Sequence, residues 1–478
     1  MDTSSVQFLG FTAIVAVLYN LFRAPAWRQT VLFAANVFFL SSVSKLWTAY
    51  VPLGIFLAFG YAGVRLMKSR TGRNMFPAFA VLLVLVFVAL KRYDFVPHQF
   101  LIQAPYITLG LSYIMFRVLH MLVDAKEGSL PDGVSPLAYL NYTLNFTTLV
   151  AGPIQLYGEF AASRKCSERS ILNSSIVLPA LERITFGFFK LRILCLVLTT
   201  LHSSAVRQML KPQGFVAGTK WGMILLVSYP ANLYLNFSGY VDMVIGIAAL
   251  IGIQLPENFN RPFSATGYIE FWNKWHMTLS NWLKTYVYTP LLKTLMYRFP
   301  AETLEPYLGV LVFFVTFFLV GAWHGTTSEF LFFGLLQGLG VSLNKMTQIA
   351  TAKKLGRKRA KALESTFLYR SVARGLTTTY FALTLLWFWA DWHRIHQMVT
   401  ATGTTASVSA LILAFAVATL ALVLWEQLRV WVLGLQFEGS PFVACRSFRA
   451  GLAAYLGIMA WLLLGISSSS TPVMYGIF

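Results

Sequence analysis

Residues 307–343 read YLGVLVFFVTFFLVGAWHGTTSEFLFFGLLQGLGVSL. Two apolar runs, Tyr307 to Val320 and Phe330 to Leu343, flank a histidine, and neither alternates as a half-buried strand does. Within hydrocarbon only helices and closed barrels satisfy the backbone, and runs this uniformly apolar suit helices. Working outward, similar runs occupy Phe8 to Phe22, Thr30 to Leu46, Val51 to Leu66, Phe76 to Leu90, Leu101 to Val123, Leu137 to Ile154, Ile176 to Leu201, Trp221 to Ile253, Thr366 to Trp389, Val408 to Trp431 and Leu452 to Ile466. A full crossing needs about 20 residues and several runs are shorter, so roughly ten to thirteen membrane segments are expected. The expectation is an all-α polytopic integral membrane protein, one membrane-embedded domain over residues 1–478.

Composition agrees. The chain is 57% hydrophobic and 12% charged, against roughly 25% charged in an ordinary soluble domain. Its 38 Lys and Arg against 18 Asp and Glu give a net charge of +20, which in a soluble protein would suggest nucleic acid as partner. Here the cations sit in short breaks between apolar runs, as at Arg65, Lys68, Arg70 and Arg73, or Lys353 to Lys361, the pattern of cytoplasmic loops. No nucleic-acid partner is expected. Cys166, Cys195 and Cys445 are odd in number and widely spaced, which supports neither a disulfide framework nor a zinc site. Nothing basic precedes Arg23 and no small-residue cleavage pattern appears, so Phe8 to Phe22 is expected as a retained first span with its N-terminus outside.

An ionisable group inside a span costs roughly 2.5–3.5 kcal/mol at a helix centre, so each needs a reason. His324 sits between Gly321 and Gly325, glycines that would let another backbone or a substrate chain approach the imidazole. It reads either as a core histidine bonded to a neighbouring helix or as a general base, since imidazole titrates near 6.5. His276 lies in a segment where Trp272, Trp275, Leu279, Trp282, Leu283 and Tyr286 would share one face of a continuous helix, with His276, Ser280 and Lys284 alongside, an interfacial or re-entrant pattern. Asp242, inside an apolar run, must be paired or hydrogen-bonded and reads first as a structural tie. Arg261, in a proline-bracketed loop, could meet a phosphate or lipid headgroup, or pair with Glu257 or Asp242. His393 and His396 have the spacing of two metal ligands but no further ligands, and read as interface residues; no metal site is expected. His98, His120 and His202, near span ends, suggest no role, and Ser467 to Ser470 reads as an extramembrane turn.

Four motifs then occur in order: Asn236-Phe237-Ser238-Gly239-Tyr240-x-Asp242-Met243; Pro256-Glu257-Asn258-Phe259-Asn260-x-Pro262-Phe263; Glu270-Phe271-Trp272-x-x-Trp275-His276-x-x-Leu279-Ser280-x-Trp282-Leu283; and Trp323-His324-Gly325. Together they resemble the membrane-bound O-acyltransferase family, in particular its bacterial branch of alginate O-acetylation and teichoic acid D-alanyl transfer. Gly110-Leu111-Ser112-Tyr113 with Asp124, and Ala151-Gly152-Pro153-Ile154, are weaker echoes. The resemblance implies transfer of an acyl group from a thioester to a hydroxyl, with His324 essential and His276 a second site residue. It also implies re-entrant helices around a central tunnel where donor and acceptor meet from opposite sides, with 236–325 as the motif core. Asn236, Asp242, Asn258, Arg261, Trp275 and Trp323 are the expected substrate-binding positions.

No permanently bound cofactor follows; the donor would be acetyl-coenzyme A or an acylated carrier protein on the cytoplasmic side. The acceptor would be an exported glycan or a periplasmic partner acyltransferase, in a multi-pass protein of the inner membrane surrounded by lipid. Acetyl transfer is the first reading and D-alanyl transfer to teichoic acid the second. A lipid or sterol acyltransferase of the same family would take a longer acyl chain. A transporter or flippase, with Asp242, His276 and His324 along its pathway, is the alternative of another class. Two departures stand out: Leu291-Leu292-Lys293-Thr294 replaces a Gly-Gly-Asn-Arg-like turn, and Trp387-Phe388-Trp389 replaces a Phe-Arg. Both are expected to bear on donor and acceptor contacts and neither to touch the histidines.

Overall fold

A computed structural model describes residues 3, 5–97, 99, 101–102, 106–166, 173–437, 440–441 and 446–464. His98, Cys445 and the Ser467 to Ser470 stretch lie outside them, and the side chain of Cys166 is likewise not described. Among the described residues the regular structure is helical, apart from a two-residue antiparallel pairing of Gln436–Phe437 with Ser440–Pro441. Six helices among the described residues are long and apolar enough to cross a membrane: Trp47–Leu66, Arg70–Lys91, Ser174–Met209, Phe215–Leu250, Glu305–His324 and Thr404–Gly434. Shorter or more polar helices, including Val6–Leu21, Leu111–Glu127 and Phe367–Thr384, account for other expected segments. The run from Leu137 to Ile154 is not a continuous helix: Pro136–Thr143 stops after two turns, and the chain then turns and extends.

The chain divides into two compact units, Met1–Arg192 with Asn236–Glu257 and Leu456–Phe478, and Ile193–Leu235 with Asn258–Tyr455. The motif core therefore divides after Glu257.

The first unit is organised around buried polar groups that its own backbone satisfies. Arg117 is 2% exposed, and its guanidinium donates to the carbonyls of Tyr142 (3.2 Å), Thr143 (2.7 Å) and Thr148 (2.8 Å) and to Thr148 Oγ1 (2.6 Å). It thereby satisfies carbonyls that the short Pro136–Thr143 helix leaves without partners at its end. His120 is fully buried beside it. The Tyr157 backbone N–H donates to its Nε2 at 3.2 Å, which leaves Nδ1 protonated to donate to the Phe116 carbonyl at 3.1 Å. Asn36 joins the same core, accepting from the Phe146 N–H at 2.8 Å.

The second unit owes its central hairpin to small residues. Glu305–His324 and Ser328–Leu355 run back to back, and an added Cβ at Gly321 would overlap the Gly334 Cα, while one at Gly334 would overlap the Phe318 carbonyl. Backbones approach this closely only where side chains vanish, the usual device for packing helices without a hydrophobic drive. Gly321 thus serves the neighbouring helix, and Gly325 packs under the Phe330 ring; neither opens space for a substrate chain.

Candidate active site

The hairpin ends on a histidine. His324 closes Glu305–His324, with Gly325 leaving the helix in extended conformation, and is 3% exposed. Its ring lies among other rings: Trp323 at 4.5 Å between centroids, Phe388 at 5.0 Å and Phe333 at 5.9 Å. Phe388 belongs to one of the two departures from the family pattern, so that departure does touch a motif histidine. The Phe367–Thr384 helix breaks at Leu385 and resumes as Leu386–Trp389, which ends at the extended Ala390 and packs against Ser328–Leu355.

His276 reaches the same place from another segment. The expected continuous helix from Trp272 onward does not form: Tyr268–Trp272 stops, residues 273–276 turn, and Met277–Leu283 begins anew. His276 caps the new helix with φ 45° and ψ 51°, a left-handed conformation unusual for a residue with a Cβ. Three bonds to Asn258 hold it there. The Met277 N–H donates to the Asn258 carbonyl at 2.9 Å, and Asn258 Oδ1 accepts from the Thr278 N–H at 3.2 Å and from Thr278 Oγ1 at 2.8 Å. Because a backbone N–H points at that atom, it is the amide oxygen. His276 Nδ1, 3.1 Å from the same oxygen, must then carry the proton, which places the lone pair of the neutral imidazole on Nε2. Asn258 Nδ2 is buried with no hydrogen-bond acceptor within reach among the described residues. The His276 ring lies 6.2 Å from Trp323, so one indole stands against both histidines.

The segment around His276 is fixed from below. Trp275, 1% exposed, is packed among Phe259, Phe271 and Phe381, with centroids 5.2, 5.6 and 5.0 Å away; it is a core residue and not an interfacial anchor. Tyr268 donates to Gln337, whose Nε2 donates to Thr384 Oγ1 at 2.9 Å, and the Ile269 N–H donates to Asn344 Oδ1 at 3.2 Å. Glu270 accepts from Lys274 Nζ at 2.6 Å and from the Thr266 N–H at 2.8 Å. Burial pushes the Glu270 carboxyl up, but Lys274 and Thr266 together outweigh it and hold the group below its usual range.

The remaining expected residues lie elsewhere. Asp242, in the first unit, is bound by Arg183 Nε (3.0 Å) and Lys190 Nζ (2.6 Å), and Arg183 grips both oxygens of Glu257 at 2.6 Å. Asp242 is the structural tie its sequence setting suggested. Sequence reasoning misses Arg183 and Lys190, although Arg183, Lys190 and Arg192 inside the apolar Ile176 to Leu201 run call for anionic partners. Arg261 lies in the second unit, where among the described residues it pairs with Glu426 at 3.9 Å. Asn236 is buried in the Phe215–Leu250 helix, at the start of the stretch that belongs to the first unit. His393 and His396 are exposed, and the described residues contain no cluster of three or more His, Cys, Asp or Glu that could hold a metal. His202 stacks on Trp389 at 4.7 Å and Tyr229 at 5.1 Å.

A family model for membrane-bound O-acyltransferases matches residues 27–373. The chain belongs to the membrane-bound O-acyltransferase family. Its curated relatives include a teichoic acid D-alanyltransferase of Bacillus subtilis, 26% identical over 229 residues, 48% of this chain and 56% of that protein. A probable alginate O-acetylase of Pseudomonas fluorescens is 25% identical over 361 residues, 73% of this chain and 67% of that one. A peptidoglycan O-acetyltransferase of Helicobacter pylori is 33% identical over 221 residues, 45% of this chain and 39% of that one. Against the Bacillus relative, the match spans little more than half the relative's length. In this member of the membrane-bound O-acyltransferase family the third and fourth motifs converge on Trp323, while the first lies in the other unit.

Proposed function

We propose that this multi-pass membrane protein is an O-acyltransferase of the cytoplasmic membrane, moving an acyl group, acetyl in the first instance, from a thioester to a hydroxyl of an exported glycan or of a partner acyltransferase that modifies it. The observation that carries the reading is the meeting of two buried histidines from separate segments across one indole, in a chain whose family membership is independent of that geometry.

His324 is the general base in this reading. It takes the acceptor hydroxyl's proton as the oxygen attacks the thioester carbonyl; a C–O bond forms, the C–S bond breaks, and the departing thiolate receives the proton from the imidazolium. His276, with Nδ1–H committed to Asn258, offers Nε2 as an acceptor for a neighbouring hydroxyl of a glycan acceptor, which orients the hydroxyl that His324 deprotonates. Asn258 Nδ2 is a donor suited to the tetrahedral oxyanion. The aromatic surroundings of His324 exclude water, which would otherwise compete as acyl acceptor.

The test is acyl transfer from labelled acetyl-coenzyme A, and separately from an acylated carrier protein, by membranes carrying wild type or His324→Ala, with the ester identified by mass spectrometry. Loss of ester at equal protein level is expected; near-normal transfer by the variant overturns the assignment. A D-alanyl ester in place of acetyl changes the donor and leaves the base assignment standing.

A further inference from the structure

Away from the histidines, the second unit carries a cavity of about 670 Å³. Three guanidinium groups, Arg261, Arg374 and Arg429, line it together with, among the described residues, one carboxylate, Glu426, while Trp425 and Leu428 form part of an apolar wall. Glu426 lies 3.9 Å from Arg261 and 3.7 Å from Arg429, too far and too few in oxygens to neutralise three cations. Arg374 is only 7% exposed and its Nε donates to the Ser264 carbonyl at 3.2 Å, so its head is fixed and not a wandering surface charge.

The cavity's position follows from the chain. Arg374 lies in the second turn of Phe367–Thr384, which follows directly on the Arg357–Ser365 helix and its basic cluster. Phe367–Thr384 packs against Thr404–Gly434 with Gly375 at Thr419, which sets Glu426 and Arg429 on the side of the basic cluster. By the positive-inside rule that is the cytoplasmic side, whose leaflet carries anionic lipid. Only 11% of the most apolar window of Thr404–Gly434 is buried, and Trp425 and Leu428 are 61% and 48% exposed, so this wall is a surface for acyl chains.

We infer that this cavity is a binding site for an anionic phospholipid of the cytoplasmic leaflet, the phosphate held by Arg374, Arg261 and Arg429 and the acyl chains lying along Thr404–Gly434. A guanidinium fork matches a phosphate better than an ammonium does, which fits the presence of arginine at all three positions. The inference does not rest on the chemistry proposed for His324.

Native mass spectrometry of the purified full chain in detergent, titrated with phosphatidylglycerol or with phosphatidylcholine of the same acyl chains, tests it. Phosphatidylglycerol should be retained preferentially. Arg429→Gln should weaken its binding about tenfold, the size of one charge-assisted contact. Glu426→Gln should strengthen it, an outcome that misfolding cannot mimic, and Lys358→Gln, outside the cavity, should leave it unchanged. Equal retention of the two lipids, failure of Arg429→Gln and Glu426→Gln to move affinity in opposite directions, or displacement of phosphatidylglycerol by coenzyme A would each overturn the assignment, the last in favour of the phosphates of a thioester donor.

Discussion

His120 and the pair His276 and His324 are all buried imidazoles in apolar sequence, yet their surroundings differ in kind. His120 meets a backbone donor at Nε2, a backbone acceptor at Nδ1 and the Tyr142 hydroxyl at 3.3 Å, groups that belong to the folded main chain or to its core. His276 meets the side-chain amide of Asn258, and His324 stands among the rings of Trp323, Phe333 and Phe388. A histidine tied to the backbone stabilises the fold and has little freedom to exchange its proton. One fixed by a side chain or by packing can hold its plane while its protonation changes. Burial alone therefore does not distinguish a working histidine from a structural one; the partners do.

The sharpest way to break that comparison is to truncate each kind. His324→Ala should lower acyl transfer about 10²- to 10⁴-fold, the range of general base catalysis, with the melting temperature nearly unchanged. His120→Ala should do the reverse, leaving turnover per folded molecule intact and costing about 1–3 kcal/mol through the buried N–H and carbonyl it abandons. Turnover lost at full stability in the His120 variant would erase the distinction. Gly334→Leu should reach the site through its scaffold: the added side chain must displace the Phe318 carbonyl and Gly321, costing about 1–3 kcal/mol or more and lowering stability and activity together.

A smaller effect sharpens the reading of His276. Asn258→Ala removes both the acceptor that sets its tautomer and the donor assigned to the oxyanion, and turnover should fall about 10²- to 10³-fold, the cost of losing one oxyanion donor. Asn258→Asp restores an acceptor but adds a charge that favours the imidazolium, so a higher pH is needed to reach the neutral form. The acidic limb of the pH–rate profile should therefore move upward in Asn258→Asp and not in Asn258→Ala. Identical profiles would show that Asn258 serves the fold alone.

Much of this was legible before any coordinates. Uniform apolar runs specified membrane helices, and the cost of a buried imidazole drew attention to His324, because hydropathy and ionisation are properties of local sequence. What escaped were features set by tertiary contact. The break at His276 has no glycine or proline to announce it, since Asn258, distant in sequence, supplies the bonds that a continuing helix would have made. Leu137 to Ile154 looks like a span, but its chain turns because Arg117 takes up the freed carbonyls. The partners of Asp242 lie 52 and 59 residues before it, beyond any periodicity. Phe388 escapes sequence reasoning because a departure from a motif reads as distance from the site, whereas it is one of the walls of His324.

The smallest expected effect concerns the clamp beneath His276. Glu270 has its carboxyl held below the usual range, so its contribution to stability is complete above the unfolded carboxyl value of about 4.3 and is lost as pH falls through the lower folded value. Protonation of Glu270 leaves Lys274 Nζ facing Ser264 Oγ at 3.0 Å and a carboxylic acid in place of a carboxylate. Thermal unfolding followed from neutral pH into the acid range should show a loss in wild type that Glu270→Gln does not share, because the amide has no proton to gain. If the two curves fall in parallel, the clamp contributes nothing that depends on its charge, and the left-handed turn at His276 is held by Asn258 alone.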